Sequence, residues 1–442
     1  MVPSIPPIPE TPDTDPMGLP RFGAPVPTTG RFIVVFADGA DARAMLASTA
    51  GLNNVADSRD FAAQAVDFGR TSGSDAVWFD KLGVAVVSAE PSQVGALRTA
   101  EAGDAAIVSV SPELIHHVLT GPGYVQGYRD GVNDLAGRLG ATDHAADQAA
   151  AAPPKPPYAD NAQFTWGLQA TGAATSPQSG AGIKVAVLDT GFDVDHPNFA
   201  DRTVTTESFV AGETVQDGHG HGTHCIGTSC GSKSPATGPR YGVAYGAEIF
   251  AGKVLGDNGS GSDGGIIAGI NWAIENGCHI ISMSLGADVA SVHPPYTVVG
   301  KRALDAGTLI VAAAGNNADR RVGKFGFVGT PANSPYIMAV GALDQNLEMA
   351  FFSARTLPDV QGGQVDIAGP GYQVYSSWPM PTRYKTISGT SMATPHVAGI
   401  AALWAELTGF RGRDLWATLA QDSQRLLQPS VDVGGGLALA PQ

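Results

Sequence analysis

Charge is scarce in this chain of 442 residues. Asp, Glu, Lys and Arg make up 15% of it, against roughly 25% in an average globular protein, which argues against a coiled coil or an acidic halophile-type shell. Positive charge is scarcer still: Lys and Arg number 26 against 41 Asp and Glu, a formal net charge of −15, so no nucleic-acid partner held through its phosphates is expected. Long apolar runs are missing. Stretches such as 309–314 stop well short of the roughly 18 residues a membrane helix needs, and no membrane span is expected. Cysteine is nearly absent. The three present, Cys225, Cys230 and Cys278, cannot build a disulfide scaffold, and at least one thiol is free. Cys225 and Cys230 lie five apart on a helix-like stretch, about 140° apart around its axis, and are not expected to be bridged. A secretory leader is lacking too, because the first 30 residues are rich in proline where a basic and then apolar segment would stand. As written the chain reads as cytoplasmic, or as secreted with its leader removed.

What is abundant is apolar sequence (43%) broken by 57 Gly and 31 Pro, the texture of a loop-rich α/β protein. Residues 1–30 read as a Pro-rich disordered arm. Strand-like runs at 31–36, 75–79, 84–89 and 106–110 alternate with helix-like stretches at 41–50 and 91–100. That order, β-α-β-β-α-β, is a small ferredoxin-like α+β unit over 31–120. Residues 121–160, with Pro153, Pro154, Pro156 and Pro157, read as a linker. From 161 to 442 short apolar strands (183–188, 249–255, 279–283, 308–313, 336–340) alternate with helices near 264–277, 297–307 and 391–408. This pattern predicts a parallel sheet flanked by helices.

Four local patterns carry chemistry. Strand 183–188 runs into Asp189-Thr190-Gly191, and working residues of parallel α/β sheets gather at the carboxyl ends of strands. A glycine-spaced cluster at 217–225 supplies His219, His221 and His224, where a carboxylate-oriented imidazole is a general base near neutral pH. Three histidines so close also raise a zinc site, although Thr223 stands where the usual hydrolase pattern has Asp. Ser391 opens an apolar helix, where free N–H groups favour developing negative charge. Asn316 ends strand 308–313, where a side-chain amide can donate to an oxyanion. Each also has a plainer explanation: a turn Asp, a packed His, an N-cap Ser and a turn Asn.

The order Asp, His, Ser, each in its own glycine-bearing motif, is that of subtilisin. On VAVLDTGFDVDHPNF (185–199), GHGTHCIGT (220–228), SMSLG (282–286), AAAGN (312–316) and GTSMATPHVAG (389–399), the chain resembles the subtilisin-like serine peptidases, with proteinase K-like features around Cys225. The resemblance covers about 275 residues. It implies a subtilisin-like α/β sheet preceded by a propeptide that acts as chaperone and inhibitor. Asp189 would orient the imidazole, His221 would be the base, Ser391 the nucleophile, and Asn316 with the Ser391 N–H would bind the oxyanion. Gly259, Ser260, Gly261, Ser284, Leu285 and Gly286 match the two segments that hold an extended peptide. Ala314, Gly315 and Gly329 match the walls of a roomy primary pocket.

The expected activity is that of a serine endopeptidase on protein or peptide substrates, monomeric, inhibited by its own N-terminal unit and self-processed near Leu119 or in the linker. Acyl transfer to an amine, as in a transpeptidase or macrocyclase, would use the same triad; an idle binding module would not need it. No cofactor is required for the chemistry. Structural calcium is in question, because Asn198 stands where the family's strong site has Asp and the adjoining loop carries Lys233; Asp366 is the candidate ligand for a weaker ion.

Overall fold

The computed structural model describes residues 26–119 and 156–442, apart from 62–63, 65, 67–70, 72, 104–105 and 359–360. Most of the Pro-rich arm and of the expected linker lie outside the described residues. The arm ends earlier than residue 30, because β1 spans Thr28–Phe36: Thr28 pairs with Leu114, and the Thr29 hydroxyl donates to Glu113.

The N-terminal unit runs β1, α1 (Ala42–Ala50), β2 (Val55–Asp57), β3 (Ala76–Phe79), β4 (Val84–Val87), α2 (Pro91–Gly103) and β5 (Ile107–Val118). Its strands lie in the order β5-β1-β4-β3-β2. The three-residue β2, which no apolar run announces, adds a parallel edge to β3. Asp41 caps α1 by accepting from the Ala44 N–H, and Gly51 in the left-handed region ends it. Residues alternate between two apolar environments. Val34, Phe36, Ala85 and Val87 cover Leu46 and Leu97 of the helices, while Ile33, Val35, Val84 and Val86 join a cluster with Ile266, Ile270, Tyr296 and Val299 of the larger unit. A period of two that is apolar on both faces makes this a sheet buried between layers.

The larger unit begins with α3 (Trp166–Ala170) and continues through β6 (Lys184–Asp189), β7 (Val204–Ser208), α4 (His221–Cys230), β8 (Glu248–Lys253), β9 (Ser260–Ser262) and α5 (Asp263–Glu275). Then come β10 (Ile280–Met283), β11 (Leu285–Gly286), α6 (Pro294–Asp305), β12 (Leu309–Ala313), β13 (Met338–Leu343) and β14 (Ile367–Pro370). The hairpin β15 (Val374–Ser377) and β16 (Tyr384–Ile387) precedes α7 (Thr390–Thr408). Seven strands form one sheet in the order β14-β13-β12-β10-β6-β8-β7, with every neighbouring pair parallel. Val185, Val187, Ile280 and Val311 pack on Ile226, Val397 and Ile400 of α4 and α7. Ala186, Leu188, Ile281 and Ile310 pack on α5 and α6. The fold is therefore the α/β sheet with helices on both faces that the sequence pattern implies. β6 lies between β8 and β10, and the chain crosses from β8 on one side of it to β10 on the other, so Asp189, the last residue of β6, sits at a carboxyl strand end where such sheets place their sites.

One strand joins the units. β5 extends past its own sheet and lies between β9 and β11, antiparallel to both.

Candidate active site

Asp189 leaves β6 fully buried and turns its Oδ1 to two donors, the Thr190 N–H at 2.8 Å and His221 Nδ1 at 2.7 Å. An ionised carboxylate only accepts, so Nδ1 carries the proton and Nε2 is the ring's free lone pair. The two loops meet closely because both have glycine next to the functional residue: a Cβ on Gly222 would collide with the Gly191 carbonyl. Burial works against a charge on His221, but the Asp189 carboxylate outweighs it and raises the imidazole well above its ordinary range. The field that favours the imidazolium is the one that lets this ring take a proton as charge develops elsewhere.

α4, which carries His221, has no capping side chain at Gly220. Asp217 does that work from further back. Its Oδ1 accepts from the His219 and Gly220 amides, and its Oδ2 from the Thr223 amide and hydroxyl. Thr190 closes the circuit, donating its hydroxyl to Asp217 and accepting the Gly222 N–H. Behind Thr190 the buried Lys253 donates to the Thr190 carbonyl at 2.6 Å and to Asp257 at 2.6 Å, with Glu213 at 3.2 Å. Sequence reasoning passed over Asp217 and Lys253. An acid three residues before a helix N-cap is a signal that could have found the first; the second is a lone cation in an apolar strand.

Ser391 opens α7. Pro395 lies inside that helix, beyond its first turn. With no N–H, Pro395 leaves the Ser391 carbonyl without its helical donor. The Ser284 hydroxyl at 2.7 Å and the Cys225 thiol at 3.6 Å take its place. Cys225 Sγ also lies 3.8 Å from His221 Nδ1, so one sulfur touches both the base and the nucleophile's backbone. The three cysteines are free and buried.

Into this arrangement comes the end of β5. The Leu119 carbonyl accepts from the Asn316 Nδ2 and from the Ser391 hydroxyl, the latter at 2.7 Å. Asn316 is held in that orientation because its Oδ1 accepts from the Thr390 amide at 2.9 Å and hydroxyl at 3.0 Å. The expected second donor, the Ser391 N–H, is not a partner of this carbonyl. The ground-state oxygen occupies a different position from an oxyanion. With its hydroxyl turned to Leu119 and to the Ser284 carbonyl (2.9 Å), Ser391 leaves His221 Nε2 without a hydrogen-bond partner among the described residues.

The substrate-binding candidates sit along the same strand. The Val118 N–H donates to the Gly259 carbonyl at 3.0 Å. His117 is opposite Ser260 and Gly286, and His116 is opposite Gly261. Leu285 is opposite Val118, and the Leu119 N–H reaches the Ser284 carbonyl at 3.5 Å. A Cβ on Gly286 would come within 3.0 Å of Leu119 Cδ1. Ala314 and Gly329 adjoin through an amide-to-carbonyl bond of 3.0 Å, and the Gly315 amide donates to Thr390 Oγ1.

The three histidines do not gather. His224 donates its Nε2–H to the Val374 and Lys385 carbonyls, and burial pushes its pKa down to about 3. Among the described residues the one set of three potential metal-binding groups is Asp189, His221 and Cys225. The zinc alternative is thereby corrected. The residues present do not fit the family's strong calcium site either: Asn198 is bound through its amide to the Tyr241 and Tyr384 hydroxyls, and Lys233 lies over the Tyr245 ring. Asp366 accepts the Ala339 N–H at 2.7 Å, and burial of its carboxyl pushes it up to about 7. It belongs to no set of three acidic, histidine or cysteine ligands.

Comparison with known proteins places this geometry. Residues 180–435 match the Subtilase family of peptidases. The chain is 44% identical over 242 residues to Subtilisin Savinase of Lederbergia lenta, covering 54% of this chain and 82% of that protein. It is equally similar, 44% over 242 residues, to M-protease of Shouchella clausii, where the match spans 58% of the relative's length, under two thirds. Subtilisin DY of Bacillus licheniformis is 41% identical over 225 residues, 51% of this chain and 77% of the relative. No helix among the described residues is long and apolar enough to cross a membrane.

Proposed function

The chain belongs to the subtilase family of serine peptidases, and on that premise we propose that it is a serine endopeptidase made as a proenzyme, whose N-terminal unit occupies its own cleft as inhibitor. The observation that carries the reading is the Leu119 carbonyl seated between the Ser391 hydroxyl and the Asn316 amide.

In the proposed reaction His221 Nε2 takes the proton of Ser391 Oγ as the oxygen attacks the carbonyl carbon, and Asp189 stabilises the imidazolium that results. Asn316 donates to the oxygen as it becomes negative. The tetrahedral adduct collapses when His221 returns the proton to the leaving amine. Water, activated by the same imidazole, then releases the acyl-enzyme. The chemistry uses no cofactor. Protein or peptide substrates would enter as β5 does, adding a strand between β9 and β11, so backbone pairing supplies much of the affinity. In cis, the carbonyl so placed is that of Leu119.

Mass spectrometry of the purified full chain and of Ser391→Ala tests this. The parent is expected to be cut after Leu119 and its serine to react with a fluorophosphonate. The variant is expected to stay intact. Equal clipping of both chains rejects self-processing, and an unlabelled parent rejects the peptidase reading.

A further inference from the structure

Counting back from Leu119 as the first residue before the cleaved bond, His116 is the fourth, and its side chain is fully buried. It is not buried among apolar groups alone. Its Nε2 lies 2.6 Å from Asp263 Oδ1, with both side chains shielded from solvent. Its ring meets the edge of Tyr296 at 5.6 Å and 84°, and the Tyr296 hydroxyl is 3.5 Å from the same nitrogen. The other carboxylate oxygen, Asp263 Oδ2, accepts from His293 Nε2 at 3.1 Å and from the Leu114 N–H at 2.6 Å. Asp263 is the first residue of α5 and directly follows β9, the strand that holds the peptide backbone. Its place is therefore fixed relative to the cleaved bond.

Burial alone would push the Asp263 carboxyl up; His116 and His293 overcome that and hold it below the ordinary carboxylate range. It is thus an ionised acceptor in a closed site, and Nε2 of His116 carries the proton it accepts. An aliphatic side chain in the same place would bury that charge against methyl groups and remove one of its donors, which is strongly unfavourable.

Resting on the peptidase reading above, we propose that Asp263, with His293 and Tyr296, makes a histidine-selective subsite, so that the preferred substrates are peptides with histidine at the fourth residue before the cleaved bond. The N-terminal unit fits its own cleft by supplying that histidine. Asp263 also reads the backbone N–H of the sixth residue, so peptides of six or more residues before the cut gain over shorter ones.

The test uses the self-processed product of the full chain, incubated until mass spectrometry shows its severed N-terminal unit to be degraded, and internally quenched peptides built on Leu-Ile-His-His-Val-Leu, with His, Ala, Ile or Phe at the fourth position. Histidine is expected to exceed isoleucine and phenylalanine in kcat/KM by on the order of 10–100-fold, the worth of one hydrogen bond to a charged group. Asp263→Asn should shrink the ratio, and Asp263→Leu should invert it. The peptide series on the parent enzyme stands even if either variant fails to fold. Cleavage of all four peptides at similar rates overturns the subsite and leaves the peptidase reading intact. No cleavage of any peptide overturns both.

Discussion

The Ser391 hydroxyl lies 2.7 Å from the carbonyl oxygen of Leu119, a residue 272 positions earlier in the same chain. The contact exists because β5 is gripped on both sides, by β9 and β11, up to the residue before it. The side-chain donor on that carbonyl besides Ser391 is Asn316. Asn316→Ala should lower kcat by about 10²–10³, the loss known for the equivalent oxyanion donor in subtilisin, with KM nearly unchanged. Steady-state kinetics on a peptide substrate checks the split. A rise in KM with unaltered kcat would place Asn316 in ground-state binding alone.

Glu113 is the anchor further up β5. Its carboxylate is fully buried, receives Arg31 at 2.7 Å through both Nε and Nη2, and accepts the Gly264 N–H at the start of α5 at 2.9 Å. Glu113→Gln keeps the shape and removes the charge. It should weaken the hold of the N-terminal unit by on the order of 10–100-fold. The lag before a processing chain hydrolyses added peptide should shorten. An unchanged lag, with processing as fast as in the parent, rejects the anchoring role.

Asp366 gives a pH prediction with a definite sign. Its carboxyl is raised to about 7 by burial, against about 3.9 for an unfolded Asp. A folded-state pKa above the unfolded one favours the native protein where the group is protonated, and that contribution is lost as pH rises through about 7. Asp366→Asn should therefore be more stable than its parent at pH 9, by on the order of 1–3 kcal/mol, with the gap narrowing toward pH 5. Thermal unfolding on a Ser391→Ala background avoids self-digestion. If the variant is the less stable at pH 9, Asp366 is an ionised ligand and the weaker ion site regains its standing.

Cys225 makes a trap for soft metals, since its sulfur, the His221 ring and the Asp189 carboxylate lie within 4.8 Å of one another. A mercurial bound to the sulfur should displace the His221 ring from Asp189 and silence the enzyme. Its onset should be slow, because burial raises the thiol's pKa and keeps it protonated. Cys225→Ala should keep most of its activity and lose the sensitivity. Inactivation of that variant at the parental rate would point to Cys230 or Cys278.

The parts of the site legible in the sequence were those where one short segment carries a functional residue together with the glycine that lets it approach its neighbour. Asp189 with Gly191 and His221 with Gly222 are of this kind. The central strands were legible because burial on both faces writes an unbroken apolar run, as in β6 and β12. β7, Val-Thr-Thr-Glu-Ser, was not, because it is the sheet's edge and stays partly exposed. β14, Ile-Ala-Gly-Pro, was not either, because its glycine and proline read as a turn. Asp263 escaped because the side chains it meets, His116 and His293, lie 147 and 30 positions away, and Lys253 because the carbonyl it supports, that of Thr190, is 63 positions away. A spacing pattern records no such meeting, and an isolated acid or lysine reads the same whether it is solvated or enclosed.

β5 belongs to two assemblies at once, as an interior strand of the small sheet and as the occupant of the cleft. On the proposed inhibitor reading, severing the chain at its far end would take away a covalent tether but none of the ladder, the Glu113 clamp or the His116 plug, so the freshly cut molecule would stay silent. The clock for its awakening is then set by how long the small unit survives intact after the cut, and a mutation deep in that unit, far from any reacting atom, becomes a way to advance or delay it.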